Sequence, residues 1–114
     1  MILQLNTRQV GDVTVLDASG KITLGEGATQ FRQKIKDLMT FGNRKFLVNM
    51  ANVTYVDNSG ISELVSAFTT VRDAGGQLKL VNLGKRFNDL LLINKLYTVF
   101  ETFDNEAGGI RSFH

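Results

Sequence analysis

Nine residues, Val53-Thr54-Tyr55-Val56-Asp57-Asn58-Ser59-Gly60-Ile61, constrain the fold more than any other part of the chain. Just before them, residues 45–50 (Lys-Phe-Leu-Val-Asn-Met) form the most apolar strand candidate. Beyond them Ile61, Leu64, Val65, Phe68 and Val71 recur at helical spacing, the signature of an amphipathic helix with one buried stripe. A strand that passes directly into a helix exposes free N–H groups and the positive end of the helix dipole, which favour an anion. A hydroxyl placed there beside an acidic residue can be modified, can cap the helix, or can do both.

Capping alone would account for part of the pattern. Asp57, Asn58 and Ser59 all belong to the residue types whose side-chain oxygens accept from the first turn of a helix. The sequence does not choose among them. Three places after Ser59 stands Ser62 rather than Glu or Gln, so no capping box singles it out. Three small polar side chains where one would serve leave something over for function.

The rest of the chain reads as β-β-α-β-α-β-α-β-α. Residues 1–20 form an antiparallel hairpin turning at Gly11-Asp12, and 21–27 a glycine-containing loop. Gly25 and Gly27 in that loop lack the Lys-Ser or Lys-Thr ending of a phosphate loop. A helix is expected over 28–41, with Ala28, Phe31, Ile35, Leu38 and Met39 inward, and a strand covered on both faces over 44–50. Residues 51–58 read as a loop and 59–74 as the second helix, stopped by Gly75-Gly76. Its outer face, Ser62, Glu63, Ser66, Thr69, Thr70 and Asp73, is polar, weakly charged and rich in small residues, as a partner surface would be. A strand over 77–83, a helix over 85–93, a strand over 98–102 and a short helix over 105–113 complete the order. Strands three and four, joined by a helix, should be parallel. The expected architecture is therefore an α/β mixed sheet with about four helices packed on it.

Composition removes several functions. The chain has no cysteine, and its one histidine is the terminal His114, which reads as a loose end. Disulfides and thiolate metal sites are excluded, and a histidine triad or histidine metal site has no basis. Asp12, Asp17, Asp57 and Glu63 are scattered, with no pair spaced for acid–base work. No enzyme activity, metal or cofactor is expected. The net charge of +2 is spread along the chain; its densest group, Arg32, Lys34, Lys36, Arg44 and Lys45, has no interleaved aromatics, so no direct nucleic-acid partner is expected. No apolar run is long enough for a membrane segment, and the start lacks a signal peptide's charged and apolar regions, so a cytoplasmic location is expected. The 114 residues suit one domain.

These residues resemble the STAS domain family, the fold of bacterial anti-sigma factor antagonists (anti-anti-sigma factors). The nonapeptide around Asp57-Asn58-Ser59-Gly60 is similar to the family's Asp-Ser-Ser-Gly or Asp-Ser-Thr-Gly stretch before its second helix. Gly20-Lys21-Ile22, Gly75-Gly76, Leu78-Lys79-Leu80-Val81-Asn82 and the run from Leu91 to Phe100 match in the same order. The resemblance covers nearly the whole chain and implies one STAS domain over residues 1–114. It implies partner switching in transcription regulation: the unmodified domain binds an anti-sigma factor serine kinase and frees a sigma factor. The kinase phosphorylates the hydroxyl directly after the motif aspartate, and a PP2C-type phosphatase resets the phosphoprotein. The contact surface implied here comprises Asp57, Asn58, Ser59, Gly60, Ser62, Glu63 and Ser66. Position 58 departs from the pattern, because Asn58 has no hydroxyl; Ser59 becomes the candidate acceptor. Ser62 stands where members of the family often carry glycine. If Ser59 is not modified, the alternative is a constitutive binding or scaffold module. STAS domains also occur in lipid-transport complexes, a further alternative. The edge of the opening hairpin offers a surface for a homodimer.

Overall fold

The computed structural model describes residues 3–113. The expectations for Met1 and Ile2 in the opening strand and for His114 lie outside them. The elements follow the expected order: β1 (Gln4–Val10), β2 (Val13–Ile22), α1 (Glu26–Thr40), β3 (Lys45–Val56), α2 (Asn58–Asp73), β4 (Gln77–Val81), α3 (Lys85–Ile93), β5 (Thr102–Phe103) and α4 (Glu106–Arg111). The strands lie side by side in sequence order. β1 and β2 are antiparallel, joined through Gly11 at φ 62°; the other three pairs are parallel, each joined through a helix. A two-residue turn can only reverse a strand, whereas a parallel neighbour needs a crossover.

Alternation along the strands supplies two apolar faces. Leu16, Ala18, Phe46, Val48, Leu78 and Leu80 point to the face covered by α1, α2 and α3, where Phe31, Ile35, Leu64, Val71 and Leu91 complete the main core. Val13, Val15, Leu47 and Val81 point the other way and meet Ile110 and Phe113 at the C-terminal end. This second face is partly ionic. Arg8 of β1 bridges Asp17 of β2 and Glu106 of α4, at 2.6 Å in each case. Lys79, buried in β4, donates to the Ser112 carbonyl at 2.9 Å and lies 4.7 Å from the Phe113 ring centroid. A buried ammonium is tolerated only with such partners.

Several boundaries differ from expectation. Most of the segment read as a loop over 51–58 is strand, because β2 also runs on, to Ile22, and gives β3 a partner as far as Val56. The register shifts between Asp17 and Ser19 and again between Gly20 and Lys21, and each irregularity breaks the period-two pattern that would have marked a strand. β4 stops at Val81, where Asn82 takes φ 60°, a conformation asparagine tolerates. The strand expected over 98–102 is a turn leading to the two-residue β5. α1 starts at Glu26 instead of residue 28, and α4 covers only Glu106–Arg111.

Candidate functional site

The ends of β2 and β3 run together as far as the Ile22–Val56 pair, and the chain then turns into α2. The Asp57 N–H donates to the Ile22 carbonyl at 3.3 Å, continuing the ladder by one step. The first turn of α2 presses against that same carbonyl. A Cβ at Gly60 would lie 2.0 Å from the Ile22 oxygen, so glycine is required by close approach.

Asp57 is the N-cap that the sequence left open among three candidates. Its backbone is extended, with φ −94° and ψ −176°, and its Oδ1 accepts from the Gly60 N–H at 2.8 Å. Its other oxygen, Oδ2, accepts from the Leu24 N–H at 3.0 Å. One carboxylate thus ties the β2–α1 loop to the start of α2. The Leu24 N–H, followed by that of Gly60, favours the ionised form and holds the carboxyl below its ordinary range.

Asn58, Ser59 and Gly60 are the first three residues of α2. Asn58 is exposed, Ser59 half-buried and Gly60 buried. Among the described residues the Ser59 hydroxyl has no hydrogen-bond partner in the protein. It faces a groove between α1 and α2. Leu24, Gly25, Ala28, Thr29 and Arg32 form one wall; Asn58, Ser59, Ser62 and Glu63 form the other.

The expected contact residues are therefore only partly brought together. Asn58, Ser59, Ser62 and Glu63 share the groove, with Asp57 bracing its end. Gly60 is buried and acts by allowing the close approach. Ser66 lies farther along the same helix seam, in a neighbouring hollow with Arg32, Lys36 and Thr70. Glu63 is half-buried and pairs with Arg32 of α1 at 3.0 Å; its Oε2 is buried without a partner. Two residues of the site escaped the sequence reading. Leu24 is 77% exposed at the lip of the groove, although it sits in what read as an ordinary connection. Arg32 counted only as one member of the chain's densest basic group, because nothing local announces a partner 31 residues away.

A hydroxyl, an ionised carboxylate and an exposed leucine at one helix start can bind and can be modified. Among the described residues no group of three His, Cys, Asp or Glu side chains could hold a metal ion, and no helix is long and apolar enough to cross a membrane. The fold and this turn together define a small α/β domain with its distinctive chemistry at the strand-to-helix junction. The chain belongs to the STAS domain family, whose profile matches residues 4–108. It is 26% identical over 111 residues to the anti-sigma-B factor antagonist of Bacillus subtilis (strain 168), covering 97% of this chain and all of that one. A crystal structure of an anti-sigma factor antagonist from Mycobacterium paratuberculosis superposes with a TM-score of 0.86 at 14% identity, over 97% of this chain and 93% of that one. The Bacillus cell fate determinant SpoIIAA in its phosphorylated form superposes with a TM-score of 0.73 at 16% identity, over 95% and 98%.

Proposed function

We propose that the chain is an anti-sigma factor antagonist: a binding module, rather than an enzyme, that engages an anti-sigma factor serine kinase and so releases a sigma factor. The whole-length similarity to the Bacillus subtilis antagonist supports the partner class. The observation that carries the switch is the Ser59 hydroxyl, half-exposed beside the ionised Asp57 and opening on the Leu24 groove. In the proposed step the Ser59 oxygen takes the γ-phosphoryl group of ATP, ADP leaves, and the hydroxyl proton passes to solvent. The product carries about two negative charges at neutral pH. Those charges lie near the Asp57 and Glu63 carboxylates, so closing a partner over them costs repulsion and desolvation. A PP2C-type phosphatase would restore the hydroxyl.

A specific observation favours a second reading. The residue that projects most freely from the turn is Asn58, which cannot be phosphorylated, while Ser59 is half-buried. On that reading the domain is a constitutive antagonist, always competent to bind.

Incubation with the anti-sigma factor kinase and ATP, followed by site-resolved mass spectrometry, tests both. One phosphoryl group on Ser59, and a Ser59→Asp variant that binds the kinase about tenfold more weakly with its fold intact, support the switch. A stable complex without modification, together with an Asn58→Ser variant that becomes phosphorylated, supports the constitutive form. Absence of both binding and modification removes the antagonist reading.

A further inference from the structure

A second hollow opens where the end of β3 meets α3, one residue before the Asp57 turn. Met50, Val53, Val56, Phe87 and Leu90 line it, and its volume is about 60 Å³. Small-molecule and cofactor sites run to roughly 300–1,000 Å³, and a cavity of about 150 Å³ holds benzene. This one has room for the end of a single aliphatic side chain. Tyr55 and Arg86 stand at its rim, the guanidinium 5.5 Å from the ring centroid.

The surface beside the hollow is apolar where a free helix should be polar. Arg86, Leu90 and Ile93 follow at helical spacing along one face of α3. Ile93 on that face is 75% exposed, and Tyr97, just past the end of the helix, is more than half exposed. Clustered exposure of large apolar side chains marks a contact surface. Its charges are mostly positive. Lys21 pairs with Tyr55 in the β2–β3 register, Arg86 stands at the rim and Lys95 follows the end of α3, against Asp89 alone on the helix; Lys85 faces a separate hollow with Asn88 and Asp104. A cation in the first turn of a helix opposes its dipole, so the placement of Arg86 does not serve the stability of α3.

We propose that this face is a docking socket for an acidic partner segment that inserts one aliphatic side chain between Tyr55 and α3. The partner is the same anti-sigma factor, so the inference rests on the function proposed above. Opposite charge selects an acidic segment. The size of the hollow selects one aliphatic side chain. Tyr55, 42% exposed, stands two residues before Asp57 at the same strand end, so one partner can reach both the socket and the Ser59 groove. A second copy of the chain is disfavoured there, because it would bring two basic faces together.

Gly84 permits a test that leaves the core alone. It lines the hollow, has φ −72°, and a Cβ added to it meets nothing within 4 Å. Gly84→Leu should plug the socket, and Arg86→Glu should reverse its charge. Ile93→Ser removes an exposed anchor and serves as a third variant should the plug unsettle α3. The anti-sigma factor kinase is titrated into each protein by calorimetry, without ATP, at low and high salt, with Ser59→Asp in parallel. Gly84→Leu and Ile93→Ser should each weaken binding about tenfold at either salt, with the thermal midpoint unchanged. Arg86→Glu should weaken it as much at low salt and less at high salt, where screening is stronger. Wild-type affinity in all three variants, alongside weakened Ser59→Asp, overturns the socket and leaves the switch standing. No binding by the wild-type protein overturns both. Loss of self-association in sedimentation, or of anionic-vesicle binding, with kinase affinity unchanged, assigns the face to another occupant and overturns the proposal.

Discussion

Asp57 and Asn105 cap α2 and α4 with the same geometry. Each has an extended backbone, and each accepts through Oδ1 from the N–H of a glycine three residues on, Gly60 or Gly108, at 2.8 Å. The differences begin after that bond. Asp57 spends its second oxygen on Leu24, 33 residues earlier in the chain. The residues between cap and glycine also diverge. In α4 they are Glu106, engaged with Arg8, and the inert Ala107; in α2 they are Asn58 and Ser59, with no ion pair to occupy them. A cap needs one acceptor. The α2 start keeps a charge, a hydroxyl and a bonded neighbouring loop beyond that need, and the proposed partner contact rests on this surplus.

The glycines give the sharpest contrast. A methyl group at Gly60 would fall 2.0 Å from the Ile22 carbonyl, which is backbone held in the β2–β3 ladder and cannot yield. At Gly108 the nearest atom is the Asn105 side-chain oxygen, at 3.3 Å. Gly60→Ala should destabilise the domain by about 3 kcal/mol, at the upper end for overpacking. Gly108→Ala should change stability by less than about 1 kcal/mol, since helix propensity favours alanine by a similar amount. Urea unfolding of the two variants checks this. Equal losses would mean that the approach of α2 to β2 is looser than its geometry implies.

What the sequence could show of this comparison follows from the range of the interactions. The Asp57–Gly60 segment stood out because small polar residues between an apolar run and an amphipathic run form a local signal. The choice of Asp57 as the cap was not local. It depends on Ile22 and Leu24, brought there by the β2–β3 pairing. The same pairing turned most of the expected 51–58 loop into strand, hidden by the register shifts near Ser19 and Lys21. The helical stripe of α2 was legible from its spacing, with Ile61, Leu64 and Val71 buried. Ala67 takes a core position that the stripe missed, while Val65 and Phe68 are only partly covered. Glu63 read as an outer residue because its partner Arg32 lies on another helix. Order and faces are written in periodicity; pairings across 30 or more residues are not.

Removing each cap measures the surplus directly. Asn105→Ala loses one acceptor and should cost about 1 kcal/mol. Asp57→Ala loses the same bond and frees the Leu24 N–H as well, so about 2 kcal/mol is expected. The larger difference should appear in function. Asp57→Ala should lower affinity for the anti-sigma factor by releasing the loop that presents Leu24, and Asn105→Ala should leave it unchanged. Leu24→Ala should reproduce most of the affinity loss without the stability loss, as an exposed anchor would. If Asp57→Ala and Asn105→Ala bind alike, the second oxygen of Asp57 is structural only.

The smallest effect concerns charge and isolates that second oxygen. Asp57→Asn keeps an oxygen to accept from Gly60 but turns an NH₂ group toward the Leu24 N–H, donor against donor. The native carboxyl is held below its ordinary value of 3.8 by the Leu24 N–H first and then Gly60. A group whose folded-state pKa is depressed adds stability that is fully present above the unfolded value and is lost as pH falls through the folded one. The stability advantage of wild type over Asp57→Asn should therefore be level from neutral pH to about 5, then shrink through pH 4 and below. Asp12, Asp17 and Glu106 are depressed by their own cationic partners and also lose stability in acid. Subtracting the variant's curve from that of the wild type cancels them. The same subtraction with Asn105→Gly, which removes a neutral cap, should be flat across this range. A difference curve for Asp57→Asn that is equally flat would mean that the α2 start, like that of α4, uses its cap only as a hydrogen-bond acceptor, and that the charge beside Ser59 plays no part in holding Leu24.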